Sequence, residues 1–192
     1  MADDLGGGTG EVHADALAVL RFWFEETPPE RRFAKDPALD AEIRRRFGDL
    51  RDRVVADGAL GWRSQPEHLL AAIVLLDQFS RNLHRDSAEA FAADGLALEL
   101  TRHAIAMGWE DRYPPEQRAF LYMPLMHSED AAVQAESVER FAALGIAENL
   151  KFAREHADVI AQFGRFPSRN AALGRAPTPA EQEYLSRPDA GW

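Results

Sequence analysis

Residues Leu69–Arg85, with the sequence LLAAIVLLDQFSRNLHR, decide the fold. The first eight residues are apolar, and the rest turn polar without a glycine or proline to end a helix. Because a helix that is apolar all round is enclosed by other helices, we predict a central helix that is buried on every side. Asp77 ends the apolar run and is expected to lie out of water, where a carboxylate stays charged only when it is paired. Arg81 lies one helical turn further on, on the same face.

On both sides of this stretch, apolar residues repeat at the spacing of amphipathic helices, and no segment alternates as a strand would. The predicted fold is therefore all-α, with seven or eight helices and no sheet. Short connections favour antiparallel helix pairs. The predicted helices are Ala14–Glu26, Pro37–Ala56, the central helix, Ser87–Met107, Glu116–Met126, Glu129–Leu144, Glu148–Phe163 and a short one that begins after Thr178 and ends near Leu185.

Local signals predict where several of these helices begin and how the chain is divided. Ser64-Gln-Pro-Glu67 and Thr178-Pro-Ala-Glu181 have the pattern of capping boxes, and Ser128 is expected to cap the helix that starts at Glu129. Residues 1–12 are expected to be disordered, 13–187 to form a single helical domain, and 188–192 to be a loose tail.

Composition excludes several classes of protein. The 192 residues are 46% hydrophobic and 28% charged, as in an ordinary globular protein, and the net charge of −10 argues against nucleic-acid and anionic-membrane binding. There is no cysteine, so disulfides, thiol nucleophiles and cysteine metal sites are excluded. No apolar run is long enough to span a membrane, and the N-terminus does not resemble a signal peptide. We expect a soluble, cytoplasmic protein.

Polar residues gather in three segments where a helical core would favour apolar ones. The first segment belongs to the central helix, the second lies between two helices, and the third includes the end of the last long helix and the loop after it. Their polar residues are Asp77, Gln78, Arg81, Asn82 and Arg85 in the first, His127, Ser128 and Glu129 in the second, and His156, Arg165, Arg169 and Asn170 in the third.

We predict that these segments meet in one pocket. Its arginines, Arg175 among them, would bind a phosphate or carboxylate, because guanidinium groups bind both in a bidentate manner. The alternative is that they pair with acidic side chains and helix carbonyl groups and only hold the fold together. His127, His156 and Asp77 are the candidate catalytic residues, and the candidate ligand-binding residues are Gln78, Arg81, Asn82, Arg85, Glu129, Arg165, Arg169 and Asn170.

Other chemistries find less support in the sequence. Two histidines with a carboxylate can bind a metal, but neither His-x-x-x-His nor Glu-x-x-His spacing occurs, so no metal site is predicted. Ser128 beside His127 is poorly placed to be a nucleophile, because neighbouring residues do not face each other. The glycines do not form a phosphate-binding loop after a strand, and no cofactor is expected.

Three motifs taken together resemble a bacterial family of unknown function, domain nine-two-four. They are LLDQFSRNLHR, PLMHSED and FGRFPSRNAALGR, with RFWF near the start, and the resemblance extends from about Leu20 to Leu185. It implies a tetratricopeptide-like α-α superhelix, and it implies no reaction. In one departure, Ser168 stands where the family usually has a histidine. The matching motif residues are those of the three polar segments together with Gly164, Pro167 and Gly174.

Two functions follow as hypotheses. The first is a buried Asp/Arg/His/Asn pocket that binds a small anionic molecule, with or without catalysis. The second is a tetratricopeptide-like scaffold that binds a peptide or protein, in which the polar cluster is structural. Ligand-dependent stabilisation would distinguish the first from the second.

Overall fold

The computed structural model describes residues 7–187, with side chains from residue 10 onward, and all regular structure in this range is helical. This confirms the predicted all-α class, while the superhelical arrangement stays a prediction. Eight of the described helices have seven residues or more: α1 Gly7–Arg21, α2 Pro37–Ala56, α3 Pro66–Ile73, α4 Asp94–Ala106, α5 Pro115–Met126, α6 Ala131–Leu144, α7 Ala147–Phe163 and α8 Pro179–Leu185.

Shorter helical segments extend or connect these eight. Two are π-helical and continue the helix before them, Phe22–Glu26 after α1 and Val74–Phe79 after α3. The remaining turns are Pro29–Arg32, Leu60–Trp62, Ser80–Leu83, Ala88–Ala90, Glu110–Arg112 and Pro167–Arg169. Within the described residues, no helix combines the length and apolar character that crossing a bilayer requires.

Helix α3 and its π-helical extension form the centre of the fold, as predicted. Every residue from Leu69 to Leu76 is at most 1% exposed, and Phe79 is fully buried. Helices α1, α2, α4 and α5 all pack against this central segment. Since burial of a Leu or Phe side chain contributes about 1.5–3 kcal/mol, this run supplies a large share of the hydrophobic stabilisation.

Helix ends agree with the sequence signals in some places and differ in others. The Thr178 capping box that begins α8 is confirmed, since Glu181 N–H donates to Thr178 Oγ1 and Thr178 N–H donates to Glu181 Oε2. The predicted capping box at Ser64 is wrong, because α3 begins at Pro66 without a side-chain cap. The predicted cap at Ser128 is also wrong: Asp130 caps α6, and its Oδ1 accepts from the N–H groups of Ala132 and Val133.

Two predicted boundaries differ by larger amounts. The predicted helix Ser87–Met107 is interrupted after Ala90, and α4 begins only at Asp94. Residues 7–12 belong to α1, so the predicted disorder does not extend over them. Residues 1–6 and the predicted tail 188–192 lie outside the described residues.

Candidate functional site

A depression of about 330 Å³ lies between the start of α4, the end of α5 and the loop that follows α7. We call it the His127 depression. Its polar lining consists of Asp94, His127, Ser128, Glu129 and Arg169, and its other lining residues are apolar side chains and a glycine. The second and third polar segments of the sequence therefore meet at this surface.

Asp77 lies beneath the depression, in the π-helical segment that continues α3. Its side chain is 1% exposed, and its Oδ1 lies 2.6 Å from Nδ1 of His127. Because a carboxylate only accepts hydrogen bonds, neutral His127 must carry its proton on Nδ1 and keep the lone pair on Nε2. π-helical turns inside α-helices are frequent at functional sites, and this one positions the buried carboxylate.

Three side chains keep Asp77 charged despite its burial. His127 donates to Oδ1, Gln78 donates to Oδ2, and Arg81 Nη1 lies 3.2 Å from Oδ1. Burial by itself raises the pKa of the Asp77 carboxyl, but the charge of Arg81 and the interactions with His127 and Gln78 outweigh burial and hold the pKa well below its usual value. The prediction that this carboxylate is paired is confirmed.

Asp94 joins two arginines from different parts of the chain. Both Nη atoms of Arg81 lie 3.0 Å from its two oxygens, and Nη1 of Arg169 lies 3.2 Å from Oδ2. Arg169 Nη2 also donates to the carbonyl oxygen of His127 at 2.9 Å. The guanidinium carbon of Arg169 lies 4.6 Å from the ring centroids of both Phe91 and Phe166, so cation–π contacts fix its plane.

The two arginines are not equally compensated. Burial lowers the pKa of Arg81, but Asp77 and Asp94 together raise it above its ordinary value. Burial also lowers the pKa of Arg169, and there the partial contact with Asp94 does not restore it. Of the two arginines, Arg169 is therefore the one whose charge is less compensated by its neighbours.

Glu129 anchors the loop after α7 to the segment between α5 and α6. Its carboxylate accepts from Phe166 N–H at 2.8 Å and from both Nη atoms of Arg175 at 2.8 and 3.0 Å. Burial raises the pKa of the Glu129 carboxyl, but the hydrogen bonds from Arg175 and Phe166 outweigh burial, so the pKa lies below its usual value and the group stays charged. Glu129 thus has the role given by the structural alternative in the sequence analysis, in which the arginines pair with acidic side chains and hold the fold together.

His156 and Asn170 lie close to the site without lining the depression. The His156 ring on α7 is 6.0 Å from that of His127, and its Nδ1 lies 2.8 Å from the carbonyl oxygen of Phe152. Burial lowers the pKa of His156 to about 3, so the imidazole is neutral at physiological pH. Asn170 is 2% exposed and helps to lower the pKa of the Glu181 carboxyl.

Three predicted pocket residues lie elsewhere, so the prediction of one shared pocket is wrong for them. Asn82 and Arg85 both donate to Asp40, each at 2.8 Å, beside a second depression. Successive residues of a helix are rotated by about 100° about its axis, so Asn82 does not share the helix face of its neighbour Arg81. Arg85 follows the end of the helical turn at Leu83 and so leaves the helix face.

Arg165 is the third residue outside the depression. Its Nε and Nη2 donate to Glu181 at 2.6 and 2.8 Å, which ties the loop to α8. The backbone at Phe166 is extended, and neighbouring side chains on an extended chain point in opposite directions. Since Phe166 is buried, Arg165 is directed away from the core.

Sequence reasoning missed Asp94 and Phe91, which position both site arginines. Both residues fall inside the predicted helix Ser87–Met107. An acidic residue such as Asp94 in an amphipathic helix is expected to face solvent. The helix break before Asp94, which brings both residues to the site, has no signal in the local apolar pattern. Within residues 10–187, no group of three or more His, Asp or Glu side chains is placed to hold a metal ion.

Comparison with known proteins identifies the family. The model of a family described as bacterial protein of unknown function (DUF924) matches residues 19–189. The chain belongs to the DUF924 family. It is similar to the solved structure of the protein of unknown function ATU0120 from Agrobacterium tumefaciens, at 36% sequence identity, with 91% of this chain and 98% of that chain covered and a TM-score of 0.87. No curated protein matches.

The DUF924 resemblance expected from the three motifs is thus confirmed over nearly the whole chain. The wider tetratricopeptide-like relationship stays a prediction. In this DUF924 protein the three motifs contribute the central carboxylate, the histidine that lines the depression and the arginine that donates to the histidine's carbonyl oxygen: Asp77, His127 and Arg169.

Proposed function

We propose that the His127 depression binds a small anionic molecule and that the Asp77–His127 pair transfers a proton to or from it. One observation carries this proposal: His127 is bonded at Nδ1 to a buried carboxylate, 2.6 Å away, and lines the same depression as Arg169. A histidine held in this way is oriented for acid–base chemistry by the carboxylate behind it.

The roles of the side chains follow from their bonds. Asp77 selects the tautomer of His127 and would stabilise the imidazolium that forms when Nε2 takes up a proton. Arg169 would hold the anion: its bonds to Asp94 and His127 use two of its five N–H groups within the described residues. A guanidinium fixed between two rings is pre-organised, which limits the entropy lost on binding.

The alternative is a purely structural cluster on a scaffold that binds peptides or proteins. Its support is that each nearby arginine already has a carboxylate partner: Arg81 and Arg169 share Asp94, and Arg175 is bidentate on Glu129. Fold analogy is the remaining argument for the scaffold. The two hypotheses differ in whether a small anion stabilises the protein.

A thermal-shift screen followed by calorimetry would test the proposal. The library would contain carboxylated and phosphorylated metabolites, screened against the wild type, Arg169→Gln and the control Arg85→Gln. Arg85 is a suitable control because it is also paired with one carboxylate but lies beside the second depression. We expect at least one metabolite to stabilise both the wild type and the control Arg85→Gln. Arg169→Gln should bind the same metabolite at least tenfold more weakly. If neither class of metabolite stabilises the wild type, the proposal is wrong.

The catalytic part of the proposal needs a separate variant. His127→Asn keeps an N–H group that can donate to Asp77 and removes the lone pair of Nε2. Once the screen has identified a molecule that binds, its chemical conversion by the protein would be followed by NMR. We expect the affinity of His127→Asn for that molecule to lie within about threefold of the wild-type affinity. The variant should no longer convert the molecule. Equal conversion by both proteins would refute the role of His127.

A further inference from the structure

The lining of the His127 depression restricts the chemical class of its ligand. Besides its polar groups, the depression is lined by Phe91, Leu98, Pro124 and Leu173 and by two alanines, and Phe91 also lies against the guanidinium group of Arg169. Leu173 is 36% exposed and lies at the rim. An apolar wall of this extent favours a ligand with an apolar body, because a fully hydrated ion would leave it unused.

The charges around the depression favour a single negative charge on the ligand. Three guanidinium groups, of Arg81, Arg169 and Arg175, face three carboxylates, those of Asp77, Asp94 and Glu129. The charges of these six side chains therefore balance. A phosphate monoester carries about 1.5 to 2 negative charges at neutral pH. Its second charge would meet the carboxylates of Asp94 and Glu129, and the three guanidinium groups named above are already paired with carboxylates.

The volume sets the size of the ligand. At ~30 Å³ for each water molecule, the roughly 330 Å³ of the depression corresponds to about eleven waters. A ligand that fills it would have about ten non-hydrogen atoms. Among monoanions of this size, carboxylic acids with six to nine carbons combine one charge with an apolar chain or ring.

We infer that the ligand is a monoanionic carboxylate with an apolar body of about six to nine carbons. This inference rests on the proposed function, since it assumes that the His127 depression is a binding site. The carboxylate lies against Arg169 and the hydroxyl group of Ser128, and the body lies along Phe91, Leu98 and Leu173. His127 then faces the ligand from the side of Asp77.

Calorimetry with a homologous series tests the inference. The probes are acetate, butyrate, hexanoate and octanoate, with hexyl phosphate, hexylamine and hexanol as matched compounds. We expect the affinity to rise roughly fourfold for each added methylene, the factor expected for burial of one CH₂ group. Hexyl phosphate, hexylamine and hexanol should bind at least tenfold more weakly than hexanoate.

Two substitutions locate the binding of these probes. Leu173→Ser should weaken octanoate about tenfold and leave acetate unchanged, because only the longer chain reaches the rim. Leu60→Ser is the matched control, since Leu60 is 74% exposed and belongs to a different turn. Arg169→Gln should weaken every member of the carboxylate series by the same factor.

The outcomes separate this inference from the proposed function. If hexyl phosphate binds as tightly as hexanoate and both bind more weakly to Arg169→Gln, the inferred ligand class is wrong, while the proposal of an anion site is kept. Affinity independent of chain length, or unaffected by Leu173→Ser, would also overturn the apolar body. If neither hexanoate nor hexyl phosphate nor any other anion binds, the proposed function fails as well.

Discussion

Replacement of Asp77 by asparagine tests the central ion pair most directly. The substitution keeps the shape of the side chain and removes a charge that is 1% exposed. It leaves the Arg81 guanidinium without one of its two carboxylates and ends the charge-assisted bond from His127. Breaking a buried pair in this way costs about 3–5 kcal/mol. Because Arg81 keeps both 3.0 Å bonds to Asp94, we expect the lower end, about 3 kcal/mol.

Urea unfolding followed by circular dichroism would measure this loss at pH 7. For a chain of this length, about 3 kcal/mol corresponds to a decrease in Tm of roughly 6–12 °C. Asp111→Asn is the matched control, since Asp111 is 94% exposed and pairs with Arg118 at the surface. We expect the control to change the free energy of unfolding by less than about 0.5 kcal/mol.

The pH dependence gives a second check on the same substitution. The pKa of Asp77 is lower in the folded protein than its usual value of 3.8, so its contribution is present above about pH 4 and is lost as pH falls through the lower folded-state pKa. The difference between the wild type and Asp77→Asn should therefore decrease in acid. An Asp77→Asn protein within 1 kcal/mol of the wild type at pH 7, like the control, would refute the buried pair.

Three further predictions concern other parts of the molecule. Burial lowers the pKa of His156 to about 3, so between pH 6.5 and 5, where the unfolded-state histidine takes up a proton, the wild type should lose about 1.6 kcal/mol in total through this group; His156→Gln should flatten that slope in urea unfolding, and an unchanged slope would contradict the assignment. Glu181→Gln removes the partner of Arg165, so hydrogen exchange of residues 179–185 should accelerate, whereas the exposed control Glu183→Gln should leave it unchanged. Gly164 has φ of 67°, so Gly164→Ala should cost about 1 kcal/mol, whereas Gly48→Ala inside α2 should gain about 0.5 kcal/mol; equal effects on thermal unfolding would exclude backbone strain as the cause.

Helix positions were predictable where apolar pattern and backbone chemistry agree. The run from Leu69 to Leu76 is buried as expected, and α2 has the predicted bounds Pro37–Ala56 because Asp36 caps it and five apolar residues face the core. The prediction failed at Ser87–Met107, where the apolar spacing continues across a break. A short turn such as Ala88–Ala90 depends on how its neighbours pack, and the local pattern does not contain that information.

The site was predictable in part, for a different reason. Asp77 and His127 stand out in the sequence because a polar residue at the end of an apolar segment must find a partner. The partner itself is a tertiary property. Asp94, Asp40 and Glu181 each neutralise an arginine that the sequence placed in the pocket. In the sequence, Asp94 and Asp40 resemble ordinary surface acids, and Glu181 is recognisable only as a capping-box residue.

The ion pairs that hold the loop after α7 also form one wall of the His127 depression. Glu129 fixes the loop through Arg175, and Asp94 fixes it through Arg169, which then faces the depression. Loss of stability on removal of Arg169 is consequently expected whether or not the depression binds a ligand. A binding role and a purely structural role of Arg169 are separated only by the stabilisation that an added anion gives, compared between Arg169→Gln and Arg85→Gln. Because functional residues concentrate on loops that a rigid scaffold positions, a loop anchored this firmly beside a paired histidine favours binding.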